Sequence, residues 1–310
     1  MIKKLKITLL FGGKSVEHEV SIRSAKSIYE NLNKEKYEIF LIGIDKEGYW
    51  QFFENPDILK EKSVKTTAKN HKGFLDPNSG KILVNSDIVF PVLHGTYGED
   101  GSVQGFLKIA GVPFVGADVL GSALGMDKDI QKRLLNQAGI KTAKFLSFKN
   151  YEMESINFKK FKKQLGIPFF MKPANSGSSV GVNKIKSQAD FIKGIKDAFQ
   201  YDSKIVIEEG IIGREIECSV IGNNEVLASI PGEVIPNQDF YSYNAKYIDG
   251  KGAILKIPAK LDKKTIKQIQ EIAIKTFKTL ECSGMARVDF FLKKDGQILV
   301  NEINTLPGFT

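Results

Sequence analysis

The sequence predicts a mixed α/β chain whose N-terminal part is built on a parallel sheet. Three observations carry that expectation. A β-rich run at residues 5–11 is followed by a Gly-containing loop, a helical stripe and a second β-rich run at 37–44, the order of a βαβ unit. Strand and helix patterns keep alternating as far as a closing pair of strands with Asp295-Gly296 between them. The chain has 310 residues, 42% hydrophobic and 26% charged. That is ordinary globular usage with room for two or three domains, and it excludes a disordered, collagenous or coiled-coil protein.

The elements follow in order. The opening MIKKLKITLLFGG has too short an apolar run for a signal peptide and reads as the first strand. Ile22, Ala25, Tyr29 and Leu32 recur at three- and four-residue spacing, giving a helix with one buried face. Residues 46–80, with Pro56 and Pro77, are polar and read as irregular, and a strand resumes at 87–93. A helix over 127–138, a strand at 142–148, a helix after Met153 and a strand at 167–172 mark a second segment beginning near Gly121. From Lys204 onward come several strands, a helix over 265–280 and a final hairpin. The expected division is 1–120, 121–205 and 206–310.

Composition narrows the chemistry. Cys218 and Cys282 stand apart and His18, His71 and His94 are scattered, so a reducing compartment is expected and any metal should have oxygen ligands. Net charge is +9, but only Arg23, Arg133, Arg214 and Arg287 are arginine, and the lysines are spread along the chain. Dispersed lysine reads as solvated surface, which disfavours nucleic-acid binding and leaves anionic small substrates. No apolar run approaches the roughly 18 residues of a membrane span.

The most informative stretch is GMARVDFFLKKDGQILVNEINTLPG, from Gly284 to Gly308. A two-residue turn at Asp295-Gly296 makes Asp289 face Glu302 and Arg287 face Asn304. Period two puts these four on one face and Val288, Phe290, Leu292, Leu299 and Ile303 on the other. Opposed carboxylates repel at about 4.5–5.5 Å between Cβ atoms. A positive group is needed there: magnesium, which suits carboxylates and an amide completed by phosphate and water, or a neighbouring lysine.

A second constellation, FFMKPANSGSSVGV, delivers Lys172 from a strand into a Gly/Ser-rich loop, offering a cation and backbone N–H groups to polyphosphate. It is not the Walker pattern. The loops LHGTYGEDG and GGKSVEHE follow strands, where α/β proteins bind ligands, and the absence of G-x-G-x-x-G disfavours hydride transfer. Glu17 suits an ammonium group or a helix's first turn. The aromatic loop at 240–250 reads as a lid or as packing.

Taken with MDKD and YNAKY, these motifs resemble, in order, the ATP-grasp superfamily and within it the D-alanine:D-alanine ligase family. The resemblance implies an ATP-grasp fold with a Rossmann-like first domain, a central α+β lid domain and a C-terminal α+β domain. It implies ATP as cosubstrate, with Lys128, Lys172, Glu208, Glu209, Ile211, Glu215 and Lys246 at the nucleotide. Glu208 would meet the adenine amino group, and Glu209 replaces a lysine that some relatives carry. Asp289, Glu302 and Asn304 would hold two Mg²⁺ ions, or Mn²⁺. Glu17, His94 and Glu99 would bind the first D-alanine, and Arg287 with the Gly308 N–H would stabilise an oxyanion. Ser178, Tyr247 and Glu215 would form a lid-closing set. The implied activity is dipeptide synthesis for peptidoglycan in the cytoplasm by a homodimer, with no nucleic-acid or membrane partner. A D-lactate-using or other ATP-grasp carboxylate ligase, or a nucleotide binder without catalysis, is the alternative; Tyr247 argues for an amine acceptor. The family also continues beyond the position of Thr310 with a helical segment lining the second D-alanine pocket.

Overall fold

The computed structural model describes residues 3–66, 86–236 and 253–309. It forms two compact units, one of Met1–Ala123 with Leu306–Thr310 and one of Leu124–Thr305.

The first unit contains β1 (Leu5–Gly12), α1 (His18–Asn31), β2 (Tyr37–Ile44), β3 (Trp50–Phe53), β4 (Ile88–Val92) and α2 (Ser102–Ile109). Its sheet has the order β3-β2-β1-β4, with β1 parallel to both β2 and β4. Leu9, Leu10 and Phe11 are fully buried, because β1 is covered on both faces. Leu9 and Phe11 enter the core under α1, and Leu10 enters the one that also takes Val103 and Leu107 of α2.

The segment expected to be irregular begins with order instead: β3 pairs antiparallel with β2, and Pro56–Lys60 form a 3-10 turn. All four β3 residues are half-buried, so no alternation betrayed the strand. The Trp50 ring meets Phe106 edge-on at 5.5 Å. Residues 67–85, with His71 and Pro77, lie outside the described residues.

The second unit follows α3 (Val119–Met126), which runs through the boundary, and begins with α4 (Lys128–Gln137). Asp127 caps α4, accepting from the N–H groups of Asp129 and Ile130 at 3.1 Å. An antiparallel sheet β5-β8-β6-β7 then uses β5 (Phe145–Lys149), β6 (Phe169–Pro173), β7 (Asn183–Ile185) and β8 (Lys204–Glu209). Helices α5 (Phe158–Leu165) and α6 (Gln188–Tyr201) fill its core with Phe161, Phe191 and Ala198 against Phe169, Met171, Ile205 and Ile207.

A second antiparallel sheet in this unit has the order β12-β11-β9-β13-β14, with β10 (Val226–Ala228) also paired to β9. Its strands are β9 (Arg214–Gly222), β11 (Gly232–Pro236), β12 (Ala253–Lys256), β13 (Gly284–Leu292) and β14 (Ile298–Asn304). Helix α7 (Lys263–Thr279), capped by Asp262, buries Ile269, Ala273 and Phe277 against it.

The closing hairpin departs from the two-residue turn. Lys293 N–H donates to Gln297 O at 2.9 Å and Gly296 N–H donates to Lys293 O at 3.0 Å, so residues 294–296 form the loop, with Gly296 at φ 81°. That slips the register by one near the turn, where Phe290 pairs with Val300. A bulge on β14 then absorbs one residue, and Asp289 faces Glu302 and Arg287 faces Asn304, the partners a two-residue turn alone would have given. Below the bulge the faces exchange: Val300 enters the core where Leu299 was expected, and Leu299 pairs with Phe291.

Candidate functional site

In the first unit the loops after β1 and β4 leave neighbouring strands at the same edge, where the strand order reverses. Gly12 makes this possible: at φ +90°, a Cβ there would lie 2.2 Å from the Ile44 carbonyl. Glu17 is 5% exposed, and its carboxylate does not cap α1. Ser15 ties the loops together, its hydroxyl donating to His94 O at 2.6 Å and accepting from Glu17 N–H at 3.1 Å.

His94 is 4% exposed, with Nε2 2.9 Å from the Ser24 hydroxyl. Burial pushes its pKa down to about 4, against a hydrogen bond with the Leu306 backbone, so the ring is neutral near pH 7. Glu99 accepts from Gly95 N–H at 2.7 Å and from Leu306 N–H at 3.3 Å. Glu17, His94 and Glu99 therefore stand in one loop cluster, and Gly308 follows on the segment docked there by Leu306 and Phe309. His18, from the same motif, is structural: Nδ1 meets Gly13 O at 2.6 Å and Nε2 accepts from Val64 N–H at 3.0 Å.

In the second unit a cleft opens between the two sheets. Its walls include Lys128, Lys172, the Gly177–Ser179 loop, Glu208, Glu209, Ile211, Glu215, Phe291 and Glu302. Strand period two explains the selection: Lys172 and Phe170 face the cleft while Phe169 and Met171 face the core. Lys128 donates to Ser176 O at 2.7 Å and lies 3.6 Å from Glu302, so it fastens the Gly/Ser loop beside the hairpin. Ser178 and Ser179 hold φ of 51° and 61°, which bends the loop sharply at the cleft. Glu209 uses its carboxylate to accept from Lys144 N–H at 2.8 Å.

Glu208 is held between two ammonium groups, 2.6 Å from Lys172 and 3.1 Å from Lys132. Burial alone would raise its pKa, and the two lysines outweigh that and hold it below the usual carboxylate range. Burial lowers the pKa of Lys132, whereas for Lys172 the attraction of Glu208 and Glu302 outweighs burial and raises it. Lys132 is absent from the motifs quoted above. Its position, four residues after Lys128 and three before the buried Leu135, is the one sequence signal that it faces inward.

On the hairpin, Arg287 grips Asp289 with two hydrogen bonds of 2.7 Å, and Asn304 Nδ2 donates to Asp289 at 2.9 Å. Burial works against the guanidinium's charge, but Asp289 and Glu217 keep it fully protonated. The repulsion between opposed carboxylates is thus met by Arg287 and Lys128 within the chain. The case for a metal rests on the donors instead. Among the described residues no three His, Cys, Asp or Glu side chains converge. Two opposed carboxylates and the Asn304 amide oxygen remain, an all-oxygen set that fits a hard cation completed by phosphate and water.

Comparison with known proteins matches residues 6–117 to the model "D-ala D-ala ligase N-terminus" and residues 134–310 to "D-ala D-ala ligase C-terminus". The chain belongs to the D-alanine–D-alanine ligase family. A D-alanine–D-alanine ligase of Oceanobacillus iheyensis is 51% identical, over 99% of this chain and 88% of the relative. Among solved structures, the VanG D-Ala:D-Ser ligase from Enterococcus faecalis has TM-score 0.85 and 38% identity, covering 99% of this chain and 92% of that one. The D-alanine-D-alanine ligase from Coxiella burnetii has TM-score 0.84 and 37% identity, covering 99% and 86%. The ATP-grasp fold expected from the motifs is the fold of these ligases.

Within this ligase family framework, Lys128, Lys172, Glu208, Glu209, Ile211, Glu215 and Glu302 line one cleft, and Asp289, Arg287 and Asn304 share the adjoining strand face. Glu17, His94, Glu99 and Gly308 belong to the other unit. Lys246 and Tyr247, with the rest of the expected lid at 240–250, lie outside the described residues.

Proposed function

We propose that this protein joins two D-alanine molecules at the expense of ATP, through an acyl phosphate. The observation that carries the reading is the cleft of the second unit, where Lys128, Lys172 and the Gly177–Ser179 loop converge beside the Asp289/Glu302 pair. That is a polyphosphate site next to a hard-cation site. The chain divides functionally as 1–120 for the first amino acid, 121–205 for nucleotide coverage and 206–310 for catalysis; the two sheets of the second unit support a division into two parts, with all of β8 in the first.

A carboxylate is a poor acyl donor, because its charge repels nucleophiles and oxide does not leave. The D-alanine carboxylate therefore attacks the γ-phosphate of ATP, giving an acyl phosphate and ADP. The amine of the second D-alanine then attacks that carbonyl, and phosphate departs. Phosphoryl transfer is chiefly positioning and charge neutralisation. Lys128 and Lys172 supply positive charge from the cleft, with Lys246 added from the loop. Glu215 lines the nucleotide site, and Glu17, with His94 and Glu99, takes the ammonium of the first D-alanine. Arg287 and the Gly308 N–H stabilise the tetrahedral oxyanion. Ser178, Tyr247 and Glu215 close the lid, which keeps water from the acyl phosphate. Two Mg²⁺ ions, or Mn²⁺, held by Asp289, Glu302 and Asn304 would add further neutralisation of phosphate charge. The protein acts in the cytoplasm as a homodimer; among the described residues no helix is long and apolar enough to cross a membrane.

The acceptor is the point the relatives divide on, since one neighbour is a D-Ala:D-Ser ligase. Coupled ADP release with D-alanine alone, and with D-serine, D-lactate or L-alanine added, tests the reading. D-Alanine alone should sustain turnover and yield the dipeptide. ADP release only when D-serine or D-lactate is present would overturn it.

A further inference from the structure

Lys132 is a fully buried cation of the second unit that the reaction above does not use. Its side chain is fully buried, and placing an ammonium out of water costs several kcal/mol unless it is well paired. Its contacts are specific. Nζ lies 3.1 Å from Glu208 Oε1 and donates to the Asn301 carbonyl at 3.2 Å. Glu208 Oε2 in turn lies 2.6 Å from Lys172, whose side chain lines the cleft. Asn301 lines the same cleft and is the residue absorbed by the β14 bulge, immediately before Glu302.

We propose that Lys132 is a positioning residue for nucleotide phosphate recognition: it holds Glu208 from behind, keeping Lys172 aimed into the cleft and its charge available to phosphate. The arithmetic of charge is the core of this inference, which rests on the cleft being a nucleotide site. Two ammonium groups share one carboxylate, leaving a net positive charge on the set. Without Lys132, Lys172 and Glu208 form a closed neutral pair, and the charge that Lys172 presents to the cleft is spent on Glu208. Lys132 also links two elements of the cleft, β8 through Glu208 and β14 through Asn301. It never touches the nucleotide in this role.

The test compares ATP and adenosine binding by titration calorimetry or competition, because only ATP carries phosphate. Lys132→Met should weaken ATP about tenfold, equivalent to about 1.4 kcal/mol, and adenosine, which Glu208 would meet through the adenine amino group, by less than about threefold. Lys132→Arg, which retains the charge, should restore most of the ATP affinity. In a Lys172→Met background, adding Lys132→Met should change ATP affinity less than about twofold. Circular dichroism checks folding, and if the methionine variant does not fold, Lys132→Gln is measured against the same ratio. Equal losses for ATP and adenosine, or a further tenfold loss in the Lys172→Met background, would overturn the proposal. Wild-type protein that binds no ATP would instead defeat the nucleotide reading itself.

Discussion

Gly95→Ala offers a perturbation whose size can be worked from the structure. Gly95 sits at φ +74°, and a Cβ placed there would lie 2.5 Å from Glu17 Oε2. The backbone conformation costs about 1–2 kcal/mol for an L-residue. The contact must open by almost an ångström to reach the 3.4 Å of ordinary packing, and only the Glu17 carboxylate or the loop can yield. A misplacement of about 1 Å in a positioning group can cost about 100-fold in rate. The variant should lose about 100-fold in kcat/KM for D-alanine, with KM for ATP unchanged within about twofold, because the nucleotide cleft belongs to the other unit. Steady-state kinetics with each substrate varied in turn provides the assay, and a thermal melt lower by a few degrees reports the strain. D-Alanine kinetics near wild type would refute the assignment of Glu17 to the ammonium. A parallel collapse of ATP affinity would refute the independence of the two sites.

Arg287→Ala removes the candidate oxyanion donor and should lower kcat by about 100-fold or more while circular dichroism stays native; turnover within tenfold of wild type would reject that role. His94 gives a pH dependence. Its folded pKa of about 4 lies below the ordinary 6.5, so the unfolded chain binds the extra proton between those values. Stability is fully present above about pH 6.5 and falls by about 3 kcal/mol as pH drops towards 4. Urea melts of His94→Gln should show a shallower slope across that window, and an unaltered slope would reject the link. Deleting Asn301 removes the bulge but should leave Glu302 opposite Asp289, because Glu302 then follows Val300, which already pairs with Phe290; magnesium-dependent ATP binding measured by calorimetry should be retained within about tenfold, and its loss would show that the bulge itself shapes the site.

The motif chemistry was more legible than its supports. Asp289 and Arg287 do face Glu302 and Asn304 as expected, but through two departures that cancel: the longer turn shifts the register by one residue and the bulge at Asn301 shifts it back. The turn length was misjudged, since Lys293 to Gln297 carry compatible residues for a two- or a three-residue loop. The bulge at Asn301 left no mark in an apolar run where Leu299 and Val300 are equally hydrophobic. Strand β3 escaped because half-burial on both faces erases alternation. Lys132 was passed over because a lysine in a lysine-bearing helix reads as surface, and only the tertiary position of Glu208 makes it internal. His18 was grouped with a recognition loop, and it is the loop's scaffold.

The return of the chain to its starting unit has a consequence for biosynthesis. Leu306 and Phe309 supply N–H groups to Glu99 and Ser24, and the Phe309 ring packs edge-on against Phe90 at 5.6 Å. The first unit is therefore discontinuous in sequence, and a ribosome delivers the strand-bracing residues 306–310 only after the unit of Leu124–Thr305 has emerged. A chain cut before Leu306 would lose the N–H groups that Glu99 and Ser24 accept, and with them the ring contact that covers Phe90.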